Sequence, residues 1–191
     1  MPSEDFLAHV SEDGRRSVVV DVAANRFIAV DVETTGLSPT RGDRVIEIGA
    51  VACNGAMICE EFHSLIGVKE RIHWAAQQVH GITYEMLAGK PKADEIMPEF
   101  RKFIADSTLV AHNARFDMGF ISHEFLRLGM GLTNPYHCTL NLSRSLYPKL
   151  RNHKLETVYR HLFGSMPADG QTHRALDDAR LVARMWMEMR K

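Results

Sequence analysis

The stretch RFIAVDVE, Arg26 to Glu33, constrains this chain more than any other: it is apolar and β-branched, yet carries two acids two residues apart. It reads as a buried strand, broken by the TTGLSPTRGD that follows, which is made of turn and loop residues throughout. Strand side chains alternate between faces, so Asp31 and Glu33 leave the same face side by side. Two carboxylates there repel, and burying them unpaired raises a pKa or unfolds the site. Either a cation sits between them, with hard oxygen ligands favouring Mg²⁺ or Mn²⁺, or they lie at a solvated strand end and pair with Arg41 or Arg44.

The remaining pattern describes layers built around that strand. RVIEIGAVAC, Arg44 to Cys53, is a second strand, and Asn54-Gly55 predicts a two-residue hairpin turn into a third, roughly Met57 to Ile66. After Trp74 the period becomes helical: WAAQQVHGI, a short helix N-capped by Thr83, then Asp94 to Ala105 with Ile96, Phe100, Phe103 and Ile104 on one face. Thr108 to Ala111 is a short strand, and helices are expected at Ala114 to Leu128, Thr139 to Leu146, Leu155 to Phe163 and about Arg174 to Met189. Strands first and helices later, with one strand between helices, give an α/β fold with a mixed sheet covered by helices. We divide the chain into a leader of uncertain structure, residues 1–26, and one domain, residues 27–191, in keeping with its 191-residue length.

Composition narrows the partners. Lys plus Arg is 23 and Asp plus Glu is 24, a net charge of −1, which excludes a basic coat for wrapping duplex DNA and leaves nucleic acid only a local patch to bind. No apolar run approaches the roughly 20 residues that span a bilayer, and the acidic N-terminus MPSEDFLAHVSEDG is unlike a signal peptide, so no membrane partner is expected and the protein reads as cytoplasmic. Three cysteines, Cys53, Cys59 and Cys138, without zinc-ligand spacing agree with a reducing compartment.

Further chemistry-bearing residues lie on the helices. Asp117 in HNARFD has Phe120, Ile121 and Leu128 at +3, +4 and +11, which turns it inward; alternatively it complements the helix N-terminus from the first turn. In THRALDDARLVARMWMEM, Asp178 shares the stripe of Leu181, Val182, Met185 and Met189, whereas Asp177 faces outward. His173 falls just before that helix or at its first residue, near a core-facing acid, where an imidazole can exchange protons at neutral pH.

Taken in order, Asp-x-Glu, Asp and His-x4-Asp with their flanks resemble the DnaQ-like, or DEDDh, family of 3′-5′ exonucleases. The resemblance rests on VDVETTGL, VIEIGAV, VHGIT, HNARFD, TLNLSRSLYP and THRALDDA, and covers about residues 26–191. It implies a ribonuclease-H-like fold, a five-stranded mixed sheet with helices on both faces, and two Mg²⁺ or Mn²⁺ ions. Asp31 would bridge the ions, Glu33 and Asp178 would hold the one that activates water, Asp117 would serve the second, and His173 would take the water's proton. Thr34, Thr35, Gly36 and Leu37 resemble the segment that holds the terminal nucleotide; His80, Gly81 and Ile82 resemble the segment that wedges or stacks on the 3′ bases. Asn113 and Phe116 would line the same cleft, although Phe116 also suits plain helix core. Lys149, Arg151, His153 and Lys154 form the densest basic cluster, either a phosphate contact or a solvated loop.

The implied activity is release of nucleoside 5′-monophosphates from single-stranded or frayed DNA 3′ ends, in proofreading or repair. The alternatives are an RNA 3′-end trimmer of the same family, since 2′-OH contacts are not legible in sequence, and a non-catalytic nucleic-acid-binding subunit. Two departures stand out. Tyr136-His137-Cys138 precedes Thr139 where the family often has an acid. The chain also stops at Lys191, without the extension by which proofreading subunits bind a polymerase, so either an isolated exonuclease or one whose remainder was removed is expected.

Overall fold

The computed structural model describes residues 26–168 and 173–191; the expected leader, apart from Arg26, lies outside the described residues. Five strands form one sheet in the order β3-β2-β1-β4-β5, comprising β1 Arg26–Thr34, β2 Val45–Asn54, β3 Met57–Leu65, β4 Thr108–Ala111 and β5 Tyr136–Cys138. The first three are an antiparallel meander, and β4 and β5 join in parallel to β1. The helices are α1 Trp74–His80, α2 Tyr84–Leu87, α3 Ala93–Ile104, α4 Ala114–Arg127, α5 Thr139–Leu146, α6 Leu155–Phe163 and α7 Ala175–Met189. Among the described residues no helix is long and apolar enough to cross a membrane.

Alternation along β1 decides which helix covers which face. Ile28, Val30 and Val32 pack into a core with Met97 and Phe100 of α3 and Phe120, Ile121 and Phe125 of α4. Phe27 and Ala29 point the other way, against Ala179, Val182, Ala183 and Trp186 of α7. By the same parity Asp31 and Glu33 continue the α7 face. The helix comes down closely there: a Cβ on Gly49, the partner of Asp31 across the β1–β2 ladder, would lie 2.2–2.4 Å from the backbone of Ala175 and Leu176.

Two local features depart from the sequence reading. Asn54 pairs with Met57, so the hairpin loop is Gly55-Ala56 rather than Asn54-Gly55. Gly55, at φ +58°, takes the first central position, where hairpin turns demand a positive φ. The second is β5, three residues unmarked by periodicity, which exists because α4 returns the chain alongside β4. The N-cap expected at Thr83 is present, its hydroxyl accepting from the Met86 amide at 3.4 Å.

Gly49→Ala is expected to cost about 1–3 kcal/mol through overpacking at the start of α7, measured as a lowered urea midpoint; unchanged stability would mean that α7 does not rest on Gly49.

Candidate active site

Four acids from both faces of the sheet converge at the C-terminal end of β1. One carboxylate oxygen each from Asp31, Glu33 and Asp178 lies within 4.8 Å of the others. Asp178 arrives on the first turn of α7, and Asp117 comes from the first turn of α4, on the opposite face. The β1–β4 pairing stops at Ala29 and Val110, which leaves the Val32 amide beyond the ladder; it donates to Asp117 Oδ1 at 3.2 Å. Neither arginine weighed as a partner for the Asp31/Glu33 pair takes that role. Arg44 is held by Glu124, through Nε–Oε1 at 2.8 Å and Nη2–Oε2 at 2.9 Å, and by Glu70 at 2.6 Å. Arg41 makes no ion pair among the described residues and instead lines the adjoining cleft.

The electrostatics follow. Burial, with repulsion from Asp178, Glu47 and Asp117, pushes Glu33 from an ordinary 4.5 up to about 8. Burial, reinforced by Asp117, Asp178 and Glu33, drives Asp31 well above its usual range. Asp117 and Asp178 are raised mainly by burial as well, against opposing hydrogen bonds from Val32 and His173. Asp178 Oδ2 accepts from the His173 amide at 3.2 Å, while its buried Oδ1 has no hydrogen-bond partner among the described residues. A buried carboxylate oxygen without a donor, in an all-oxygen set at raised pKa, fits a hard divalent cation.

Sequence reading missed the fifth acid. Glu47 on β2 is the ladder partner of Glu33 and is wholly buried. Burial alone would raise it, but it accepts from His63 Nε2 at 2.7 Å, from Arg174 Nη2 at 2.7 Å and from the Ala175 amide at 3.2 Å, and these donors outweigh burial and lower it to about 2. A lone acid inside the apolar run VIEIGAV was its signal. Arg174 follows His173 directly, so this ion pair also anchors the backbone next to the histidine, which sits at φ +64°.

Two clefts flank the acids. One, about 670 Å³, is lined by Glu33, Thr34, Gly36, Leu37, His80 and Phe116, together with residues of α1 and the β1–β2 loop. Asp43 braces that loop by accepting from the Ser38 amide at 2.8 Å, and a Cβ on Gly36 would meet the Asp43 carboxylate at 2.5 Å. Leu37 stands 83% exposed at the mouth, and Phe116 both lines the cleft and packs at 4.9 Å on Phe120. His80 is buried, and burial lowers its pKa; Nδ1 accepts from the Ile82 amide at 2.9 Å, and Nε2 is buried without a hydrogen bond among the described residues. The second cleft, about 620 Å³, joins Asp31, Asp178 and His173 to His112, Lys154 and Glu156.

Several residues named from sequence do not present side chains to either cleft. Ile82 is fully buried with Ile46, Ile72 and Leu87, because it closes the small core under α1 and α2. Thr35 is fully buried, its hydroxyl occupied by Asp43 and the Arg44 amide, which leaves only backbone to offer. Gly81 caps α1 at φ +69° and Asn113 is the exposed N-cap of α4 at φ +69°; neither lines these two clefts. Of the basic cluster, Lys154 lines the second cleft, and His153 is tied to Ser143 Oγ at 3.0 Å.

A five-stranded mixed sheet with carboxylates gathered from both faces at one strand end defines the ribonuclease-H-like class of nucleases. Exonuclease X, solved in complex with 5′ overhanging duplex DNA, superposes with a TM-score of 0.67 at 27% identity, over 86% of this chain and 89% of that one. The RNase_T model, described as Exonuclease, matches residues 28–185, and the chain belongs to this DnaQ-like family of 3′-5′ exonucleases. The PolC-type DNA polymerase III of Clostridium perfringens is 40% identical over 159 residues, 83% of this chain but 11% of that protein, so the chain spans about a tenth of such relatives. The DNA polymerase III epsilon subunit of Rickettsia typhi is 39% identical over 171 residues, covering 86% of this chain and 73% of the relative.

Raised carboxyl pKa values fix a sign. The metal-free folded protein keeps protons that the unfolded chain has lost between about pH 4.5 and pH 8, so this contribution to stability is complete at low pH and falls as pH rises through that window. The rise in melting temperature on adding Mg²⁺ or Mn²⁺ is therefore expected to be larger at pH 8 than at pH 6. Asp31→Asn should stabilise the metal-free protein at pH 8 by about 1–2 kcal/mol, roughly 2–8 °C, and abolish the metal-induced rise, as read by thermal unfolding with and without EDTA.

Proposed function

We propose that this domain is a metal-dependent 3′-5′ exonuclease that releases nucleoside 5′-monophosphates from single-stranded or frayed DNA ends, in proofreading or repair. The observation that carries the reading is the convergence of Asp31, Glu33 and Asp178, with Asp117 reaching in from the opposite face, at a cleft large enough for a nucleotide. DNA is favoured as substrate by the polymerase III relatives and by the DNA-bound structural neighbour. The epsilon relative also makes a DNA polymerase the natural partner, and the setting is cytoplasmic.

Asp31, Glu33 and Asp178 would hold one divalent cation, and Asp31 with Asp117 a second. When bound, two cations offset the negative charge that builds on the entering and leaving oxygens of a phosphodiester under in-line attack. His173 accepts the proton of the attacking water as the new P–O bond forms. The bond to the 3′ oxygen of the penultimate nucleotide breaks in the same displacement, and that oxygen takes a proton from solvent to leave a new 3′-hydroxyl on the strand. The terminal nucleoside lies in the larger cleft, approached by the Thr34–Gly36 backbone and bounded by Leu37 and Phe116. His80 lines the same cleft, its Nδ1 occupied by the Ile82 amide.

The test is hydrolysis of matched DNA and RNA oligonucleotides, labelled at either end, in Mg²⁺, Mn²⁺ or EDTA. Expected are stepwise loss from the 3′ end, DNA faster than RNA, no activity in EDTA, and a fall of at least about 10³-fold in Asp31→Ala and His173→Ala. Faster RNA trimming would replace the substrate assignment. Wild type inert with both metals would favour a non-catalytic binder, and full activity in Asp31→Ala would refute the site.

A further inference from the structure

The acid in the second cleft with no part in the scheme above is Glu156. It is set by the start of α6, whose Leu155 and Val158 pack beneath α7. The chain just before α6 is pinned to the end of β4: His112 Nε2 donates to the His153 carbonyl at 2.8 Å while Nδ1 meets Thr139 Oγ1 at 2.9 Å. Glu156 therefore has little freedom of position, and its side chain is about three-quarters buried at 23% exposure. Its Oε1 lies 3.6 Å from His173 Nε2, the one ion-pair contact of that imidazole among the described residues. Glu156 does not belong to the carboxylates whose oxygens cluster within 4.8 Å, so it stands outside the candidate cation ligands.

We propose that Glu156 is a positioning residue for His173: its carboxylate, 3.6 Å from Nε2, favours the proton on that nitrogen and leaves the lone pair on Nδ1. A base that must accept a proton through one ring nitrogen is prepared by an acceptor on the other, as the third member of a catalytic triad does. The backbone supplies the second restraint. His173 lies in the left-handed region, its amide donates to Asp178 at 3.2 Å, and the next residue is clamped by Glu47, so main chain and ring are held from three elements. Without Glu156 the ring, whose side chain is 45% exposed, would rotate freely and divide between tautomers.

The inference rests on His173 acting as the base, so its test includes a readout that needs neither metal nor substrate. Long-range ¹H–¹⁵N spectra of the imidazoles in metal-free protein should show His173 protonated at Nε2, with averaged nitrogen shifts in Glu156→Ala and an intermediate state in Glu156→Gln, which keeps an acceptor oxygen. In steady-state assays Glu156→Ala should lower kcat about 10- to 100-fold with KM unchanged, Glu156→Gln less, and the melting temperature should barely move. Combined with His173→Ala, Glu156→Ala should add no further loss, because the two act as a unit. The proposal is overturned if Glu156→Ala leaves the His173 tautomer unchanged, raises KM with kcat intact, or multiplies the loss in the double variant. An inert wild type with the expected tautomer shift would instead count against the exonuclease reading and leave the Glu156–His173 pairing standing.

Discussion

Mutual repulsion among carboxylates at one end of β1 is the constraint around which the rest of the molecule is arranged. The strand is apolar through Val30 and then presents Asp31 and Glu33 toward the helix that covers that face. Neighbouring elements add to the charge instead of diluting it: Gly49 lets α7 settle low enough to bring Asp178 alongside, and the free Val32 amide draws Asp117 in from the opposite layer. Nothing in folding alone favours this arrangement, since burial pushes each of these acids toward its protonated form. Such an arrangement fits a site for a hard divalent cation.

The buried acids sort into two groups by partner. Glu47 and Glu124 each face a guanidinium, Arg174 and Arg44 respectively, and their work is to tie elements together: β2 to the start of α7, and the head of β2 to α4. Glu47, despite complete burial, is held near pKa 2 by three donors. Glu33, its neighbour across the ladder, has no such donor among the described residues and is pushed up to about 8. The contrast separates carboxylates that are ion-paired from those that are not: Glu47 and Glu124 are buried against a guanidinium, while Asp31 and Glu33 are half-buried without one.

Much of this was legible in the residues. Period-two alternation marked Asp31 and Glu33 as one face, period 3.6 separated Asp178 from Asp177, and the helices α5 and α6 begin and end where the pattern put them. What escaped has a common physical cause, dependence on contacts made across the fold. The three residues of β5 become a strand only beside β4, and the hairpin turn shifts by one residue because the register demands a positive φ at Gly55. Ile82 looked like part of a substrate segment, yet the packing of α1 and α2 makes it core. Glu47 and Glu156 were visible as letters, but their significance lies in Arg174 and His173, 127 and 17 residues distant along the chain.

A net charge of −1 bears on how a polyanion is received at all. An unfilled acid cluster repels phosphate, and a near-neutral surface supplies little long-range steering to compensate. On the proposed reading, cations occupy the end of β1 before or together with the strand and make it a place that a phosphodiester prefers. Affinity then derives from one phosphate at the cations and one nucleoside in the apolar cleft rather than from many backbone phosphates. Such binding releases few condensed counterions and should depend weakly on salt. It also discriminates by end rather than by length, because the cleft takes a terminal nucleoside while the rest of the strand remains outside. Near-neutrality, at first sight an argument against a nucleic-acid enzyme, thus fits one that holds a single strand end instead of coating a duplex.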